Sequence, residues 1–290
     1  MKIVFSEECL NYGSPGHPES PERVRLAYEY LKARFEFIGP APAAEKDILL
    51  VHSERHLENL RNLEFYDGDS PQYPDIYGYA CLSAGGAITS AGAAIAPAGA
   101  ATTSAEQCAF SLTRPPGHHA GPSRVAGFCY LNNVAIAVRK LGKRTLILDI
   151  DAHHGDGTQA IFLGDPSVVY VSLHRYPCYP GTGLKSQENC FNYPLPPLCG
   201  DQAYLETFKR ALDSLEAGGF ELVAVSAGFD GYRTDPLASL GLTSQAYRKV
   251  GELISGLKLP VFGVLEGGYD GAALGPNVEQ LLLGLGSRNS

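Results

Sequence analysis

The chain has 290 residues, 44% of them hydrophobic and 19% charged, with a formal net charge of −8. That length suits one large α/β domain with a substantial core, or at most two ordinary ones, and the lack of long polar tracts marks a globular protein. The acidity argues against nucleic acid as a partner, and no stretch approaches the roughly 20 apolar residues of a membrane span.

In chain order, residues 2–6 form a short apolar run that reads as a buried strand. The run turns polar at Ser6, Glu7 and Glu8, without the apolar core and cleavage site of a signal peptide, so a cytoplasmic protein is expected. Residues 13–21 carry the Gly and Pro of a surface loop, and 21–35 place apolar residues at three- and four-residue spacing, as an amphipathic helix does. Residues 67–74 form a second loop. The Ala/Gly-rich run 84–101, interrupted by Thr89, Ser90 and Pro97, reads as a small-residue helix and a following loop.

The run 107–112 is a strand that leads into Thr113, Arg114, Pro115, Pro116, Gly117, His118 and His119, where the prolines stiffen the backbone ahead of paired imidazoles. A helix over 130–141 precedes the strand 144–149. That strand ends in Asp149, Asp151, His153, His154 and Asp156, within eight residues. After the strand 168–173, a loop spans 176–197 and a helix 204–215. The strand 222–226 runs on to Asp230, a helix covers 244–254, and the strand 260–265 runs into Glu266, Gly267, Gly268 and Tyr269.

Strand and helix alternate throughout, which implies a mostly parallel central sheet flanked by helices on both faces. No linker or repeat divides the chain, so one domain over 1–290 is expected. The seven cysteines are scattered and never form CxxC, which points to free thiols in a reducing compartment. Ligands in such sheets bind beyond the carboxyl ends of the strands, where four strands here deliver His, Asp, Asp and Tyr.

Asp151, His153 and Asp230 are a chemically sufficient ligand set for Zn²⁺, with Fe²⁺ as the other metal these donors suit, leaving positions open for water and substrate. His118 and His119 are the candidate bases, although a lone histidine pair is also common as hydrogen-bonded core. Asp149 and Asp156 flank the ligands and can set imidazole tautomers. Tyr269 can donate to a developing oxyanion, with Gly267 and Gly268 allowing close backbone approach.

RPPGHH at 114–119, GFCYLNN at 127–133, DIDAHHGDG at 149–157, VSLH at 171–174, YPGTG at 179–183, SAGFD at 226–230 and EGGY at 266–269 together resemble the histone deacetylase superfamily. That group includes bacterial deacetylase-like amidohydrolases, acetoin-utilisation proteins and acetylpolyamine amidohydrolases. Order and spacing agree from HPESPER at 17–23 to the final tyrosine, nearly the whole chain.

The resemblance implies a three-layer arginase/deacetylase-like fold and a zinc-dependent deacetylase. Asp151, His153 and Asp230 would be metal ligands, His118 and His119 the proton-shuttling pair backed by Asp149 and Asp156, and Tyr269 the electrophilic tyrosine. Gly127, Phe128 and Tyr179 would wall the acyl-lysine tunnel, and Arg23 would lie near an internal acetate-release cavity. Asp69 matches a rim aspartate that grips the substrate backbone, or is a plain turn aspartate. A structural K⁺ is implied at Asp149, Asp151, His153, Ser172 and Leu173. The implied partner is an acyl-lysine protein or peptide, or an acetylated polyamine; oligomeric state is left open. A non-catalytic acyl-lysine binder would be expected to lack Tyr269 or a ligand, and none is missing.

Overall fold

The computed structural model describes residues 1–96, 107–215 and 219–287. Eight strands form one sheet: β1 (Lys2–Val4), β2 (Glu36–Ile38), β3 (Cys108–Ser111), β4 (Thr145–Asp149), β5 (Val168–Arg175), β6 (Cys190–Leu195), β7 (Leu222–Ala227) and β8 (Val261–Leu265). The spatial order is β2-β1-β3-β8-β7-β4-β5-β6, and every pairing is parallel.

Side-chain alternation along the strands builds a core on each face. Leu146 and Leu148 of β4, Val223 and Val225 of β7, and Val261 and Leu265 of β8 pack on one side. They meet α1 (Pro21–Leu31), α7 (Gly200–Asp213), α8 (Ser244–Ser255) and α9 (Gly271–Leu285). The intervening Ile147, Leu222, Ala224, Phe262 and Val264 point the other way. There they meet α4 (Ile76–Ile95), α5 (Asn133–Leu141) and α6 (Asp156–Phe162). Two further short helices, α2 (Glu45–Ile48) and α3 (Glu54–Asn62), add Ile48, Leu57 and Leu60 to a third cluster with Tyr130 and Leu131.

All six expected strands and the four periodic helices are present, with ends shifted by a few residues. The small-residue helix starts earlier than expected, at Ile76, and positions 97–101 of the expected run lie outside the described residues. β6 falls inside the segment 176–197 expected to be loop throughout. It is an edge strand containing Pro194, a residue that weakens a strand signal but is tolerated where one side of the ladder is open. Among the described residues, no helix is long and apolar enough to cross a membrane.

A buried imidazole pair supports the segment that leads toward the site. His52 and His56 stack with ring centroids 4.8 Å apart. The backbone N–H of Asn132 donates to His52 Nε2 at 2.9 Å, and His52 Nδ1 lies 3.0 Å from the Gly121 carbonyl, so Nδ1 carries the hydrogen. His56 Nε2 meets the Tyr130 carbonyl at 2.8 Å. Burial, then the neighbouring His56, lowers His52 to about 3.

The sign of the resulting pH dependence follows from linkage. The unfolded chain takes up the His52 proton as pH falls through the ordinary imidazole range, while the folded chain refuses it until about pH 3. We therefore expect wild type to lose about 2 kcal/mol more stability than His52→Gln between pH 7 and pH 5, from ~1.4 kcal/mol per unit of separation. Urea unfolding at the two pH values checks this, and equal losses in both proteins would refute it.

Candidate active site

Parallel registration aligns the carboxyl ends of the central strands. Asp149 at the end of β4 lies opposite Ser226 of β7, and Ser226 lies opposite Val264 of β8. The segments leaving these ends, with the loop after β3, converge on one edge. This places His118 and His119, Asp149 to Asp156, Asp230, and Glu266 to Tyr269 in one neighbourhood although the chain separates them by up to 151 positions (269 − 118).

One ligand atom each from Asp151, His153 and Asp230 lies within 4.8 Å of the others. Asp151 and Asp230 are 1% and 0% exposed. Backbone amides hold them: Gly267 N–H donates to Asp151 Oδ2 at 2.9 Å, His153 N–H to Asp151 Oδ1 at 2.8 Å, and Ala152 N–H to Asp230 Oδ1 at 2.8 Å, while His118 Nε2 lies 3.8 Å from Asp151 Oδ1. A Cβ on Gly228 would sit 2.0 Å from Asp151 Oδ2, so only glycine lets the β7 end pass this carboxylate.

The cluster fits a divalent cation. His153 Nδ1 is 2.7 Å from Asp230 Oδ2, yet that buried oxygen has no hydrogen-bond partner. Two ligand donors this close, one of them a buried carboxylate oxygen, suit a shared positive ion. Burial, then the Asp151 charge beside it, pushes Asp230 up to about 7, a cost that a dication removes.

His118 Nδ1 lies 3.2 Å from Asp149 Oδ2, which also accepts from the Tyr170 hydroxyl at 2.8 Å. His119 Nδ1 lies 2.8 Å from Asp156 Oδ1, while Arg124 pairs with the other oxygen of that carboxylate. The two rings are 4.0 Å apart but are driven in opposite directions. Burial alone would lower His118, but Asp151 and Asp149 outweigh it and raise it to about 10. Burial and the neighbouring His118 push His119 down to about 3. Adjacent titratable groups split in this way are suited to separate proton-holding roles.

His119, His153, Gly127, Phe128, Tyr179 and Tyr269 line a cavity of about 530 Å³, with His17, Asp69 and Leu237 among its further walls. Burial raises the Tyr269 phenol well above its ordinary value, which keeps it a hydrogen donor. Arg23 is absent from these walls. Its guanidinium lies 5.2 Å from the Tyr269 ring centroid and donates to the Gly268 and Glu266 carbonyls at 2.7 and 2.5 Å. Ser172 sits opposite Asp149 in the ladder, with its hydroxyl 2.9 Å from His174 Nδ1 and Leu173 next in β5.

Sequence reasoning gave no role to three carboxylates that support this site. Glu266 Oε2 accepts the N–H groups of Gly117 and His118 at 2.6 and 3.1 Å. Asp235 Oδ2 accepts the Tyr269 N–H at 2.7 Å, and Asp67 Oδ2 accepts the Gly127 N–H at 3.1 Å. Only Glu266 carried a signal, its place within EGGY.

Residues 17–285 match the family described as histone deacetylase domain. The chain belongs to the histone deacetylase family. It is 38% identical over 299 residues to a probable deacetylase of Archaeoglobus fulgidus, covering 92% of this chain and 80% of the relative. A histone deacetylase-like amidohydrolase of Pseudomonas aeruginosa is 36% identical, over 89% of this chain and 73% of the relative. The solved structure of acetylpolyamine aminohydrolase from Burkholderia pseudomallei superposes with a TM-score of 0.91 at 28% identity, covering 99% of each chain. Membership of the histone deacetylase family supports a hydrolase acting on amides, and Asp151, His153 and Asp230 form a group that could hold a metal ion.

Proposed function

We propose that this protein is a metal-dependent amidohydrolase that removes acetyl, or longer acyl, groups from the ε-amine of lysine in proteins or peptides. The supporting observation is that one cavity is lined by His153 of the convergent Asp151, His153 and Asp230 cluster, by His119 and by Tyr269. In this reading the three ligands hold Zn²⁺ or Fe²⁺, whose Lewis acidity promotes attack of water on an amide carbonyl. His119, kept neutral first by its burial, accepts the water proton and passes it to the leaving amine. His118 contributes charge, and the Tyr269 hydroxyl donates to the oxygen on which negative charge develops. Gly127, Phe128 and Tyr179 enclose the methylene chain, Asp69 meets the substrate at the rim, and Arg23 holds the Glu266–Gly268 backbone below Tyr269. A structural K⁺ is assigned to Asp149, Asp151, His153, Ser172 and Leu173.

The likeness to an acetylpolyamine aminohydrolase favours a second reading with the same chemistry and a different substrate. Turnover of acetyl-lysine peptides, longer acyl-lysine peptides and acetylated polyamines, before and after chelation and metal return, separates them. Acetyl-lysine peptides are expected to give the highest kcat/KM, and a preference for the acetylated amine would reverse the assignment.

The roles of the two histidines predict a specific asymmetry. Asp156→Asn should lower turnover by about 10–100-fold with metal content unchanged, because Asp156 orients His119 and is not one of the three ligands. At matched metal occupancy, His119→Ala should retain less activity than His118→Ala on one acetyl-lysine peptide. The reverse order would exchange their roles.

A further inference from the structure

The cavity wall contains an unfavourable piece of backbone. Residues 126–129 form a tight turn in which Ala126 and Cys129 bond to each other at 3.2 and 2.9 Å, with Gly127 and Phe128 at the two central positions. Both central residues have positive φ, 53° and 69°. Glycine is required first: a Cβ there would lie 2.6 Å from His119 Cδ2 and 3.0 Å from Tyr179 Cε1. Phenylalanine at the second position is a poor local choice, since the left-handed region disfavours a bulky side chain and such turns prefer Gly or Asn. Conformations of this kind persist only where the surroundings over-determine them.

The constraint comes from a loop about sixty positions earlier in the chain. Asp67 Oδ2 accepts the Gly127 N–H at 3.1 Å, and Ser70 Oγ accepts the Phe128 N–H at 2.9 Å. The Ser70 hydroxyl in turn donates to the same Asp67 oxygen at 2.7 Å, so one carboxylate anchors both consecutive amides, directly and through a hydroxyl that is itself buried. The Tyr130 hydroxyl adds a bond to the Pro71 carbonyl at 2.6 Å. Held in this way, the Phe128 ring stands edge-on between His17 and Tyr269, at centroid distances of 4.9 and 5.8 Å.

We infer that Asp67 and Ser70 are specificity-determining positioning residues: their bracket on the Gly127–Phe128 amides fixes the Phe128 wall and so restricts the cavity to a slender, linear acylated chain. This deepens the reading given above and rests on it for the substrate alone. Neither residue lines the cavity beside the ligand cluster, so loss of the bracket widens the passage without removing a reacting group.

The test pairs two readouts on wild type, Asp67→Ala, Asp67→Asn and Ser70→Ala. Hydrogen exchange at the Gly127 and Phe128 amides needs no substrate. It should be about tenfold faster in Asp67→Ala and Ser70→Ala, the change expected for one ordinary hydrogen bond, and closer to wild type in Asp67→Asn, which keeps an acceptor. The second readout is the ratio of kcat/KM for a peptide with acetyl-lysine to that for the same peptide with acetylated 4-(aminomethyl)phenylalanine, whose stem is wider.

That ratio should fall about tenfold in Asp67→Ala, through KM, and recover in Asp67→Asn, again the equivalent of one hydrogen bond. Unchanged exchange, or an unchanged ratio in both alanine variants, overturns the inference. If Asp67→Ala does not fold, Ser70→Ala, which removes one bond of the bracket, decides. If wild type hydrolyses neither peptide, the proposed function fails, and the bracket is judged on exchange alone.

Discussion

In the metal-dependent reading proposed above, Asp230→Ala is expected to lose the divalent metal together with more than about 10³-fold in turnover, exceeding the ~10²–10³ typical of removing one oxyanion donor. The geometry makes the expectation specific. Asp230 Oδ2 is fully buried, faces His153 Nδ1 and has no hydrogen bond, so this oxygen is the one placed for a cation. The other oxygen has a different task, accepting the Ala152 N–H at 2.8 Å, and alanine leaves that amide unsatisfied at a cost of about 1–3 kcal/mol. Asp230→Asn separates the two effects. It can keep the Ala152 bond while removing the charge, so it should recover stability but neither metal nor turnover. Metal analysis beside thermal melts checks both variants, and full metal occupancy in Asp230→Ala would remove Asp230 from the ligand set.

Tyr269→Phe should keep metal and fold and lose about 10²–10³ in kcat, with KM little changed, because a phenol hydroxyl acts mainly where charge develops in the transition state. The ring is held independently of its hydroxyl. Asp235 accepts the Tyr269 N–H, the Arg23 guanidinium lies near the ring, and Phe128 meets it edge-on. The substitution therefore removes one donor and leaves the packing in place. Turnover within about threefold of wild type would reduce Tyr269 to a packing residue; single-turnover kinetics on an acetyl-lysine peptide reads the chemical step directly.

Much of this was legible in the chain because local pattern and global role coincide. Strands β4, β7 and β8 are buried on both faces and read as nearly continuous apolar runs, and the residues that follow them are the convergent ones. The edge strands were not legible. β2 has three residues, and β6 contains Asn192 and Pro194, so neither shows a buried-strand pattern. The supporting carboxylates were hidden for another reason. Glu266, Asp235 and Asp67 accept backbone amides, and a bond to an amide leaves no trace in the identity of its donor. Arg23 was named from its motif, but its contacts with the carbonyls of Gly268 and Glu266 emerge only from tertiary structure.

The strand order also bears on how the molecule assembles. β8, the last strand along the described chain, lies in the interior of the sheet, hydrogen-bonded to β3 on one side and β7 on the other. Until it inserts, both neighbours present an open ladder edge, and a nascent chain must keep those edges from pairing elsewhere. The same insertion delivers Glu266 and Tyr269, and only then can Glu266 seize the amides of Gly117 and His118. Completion of the sheet and completion of the cavity therefore depend on one and the same strand.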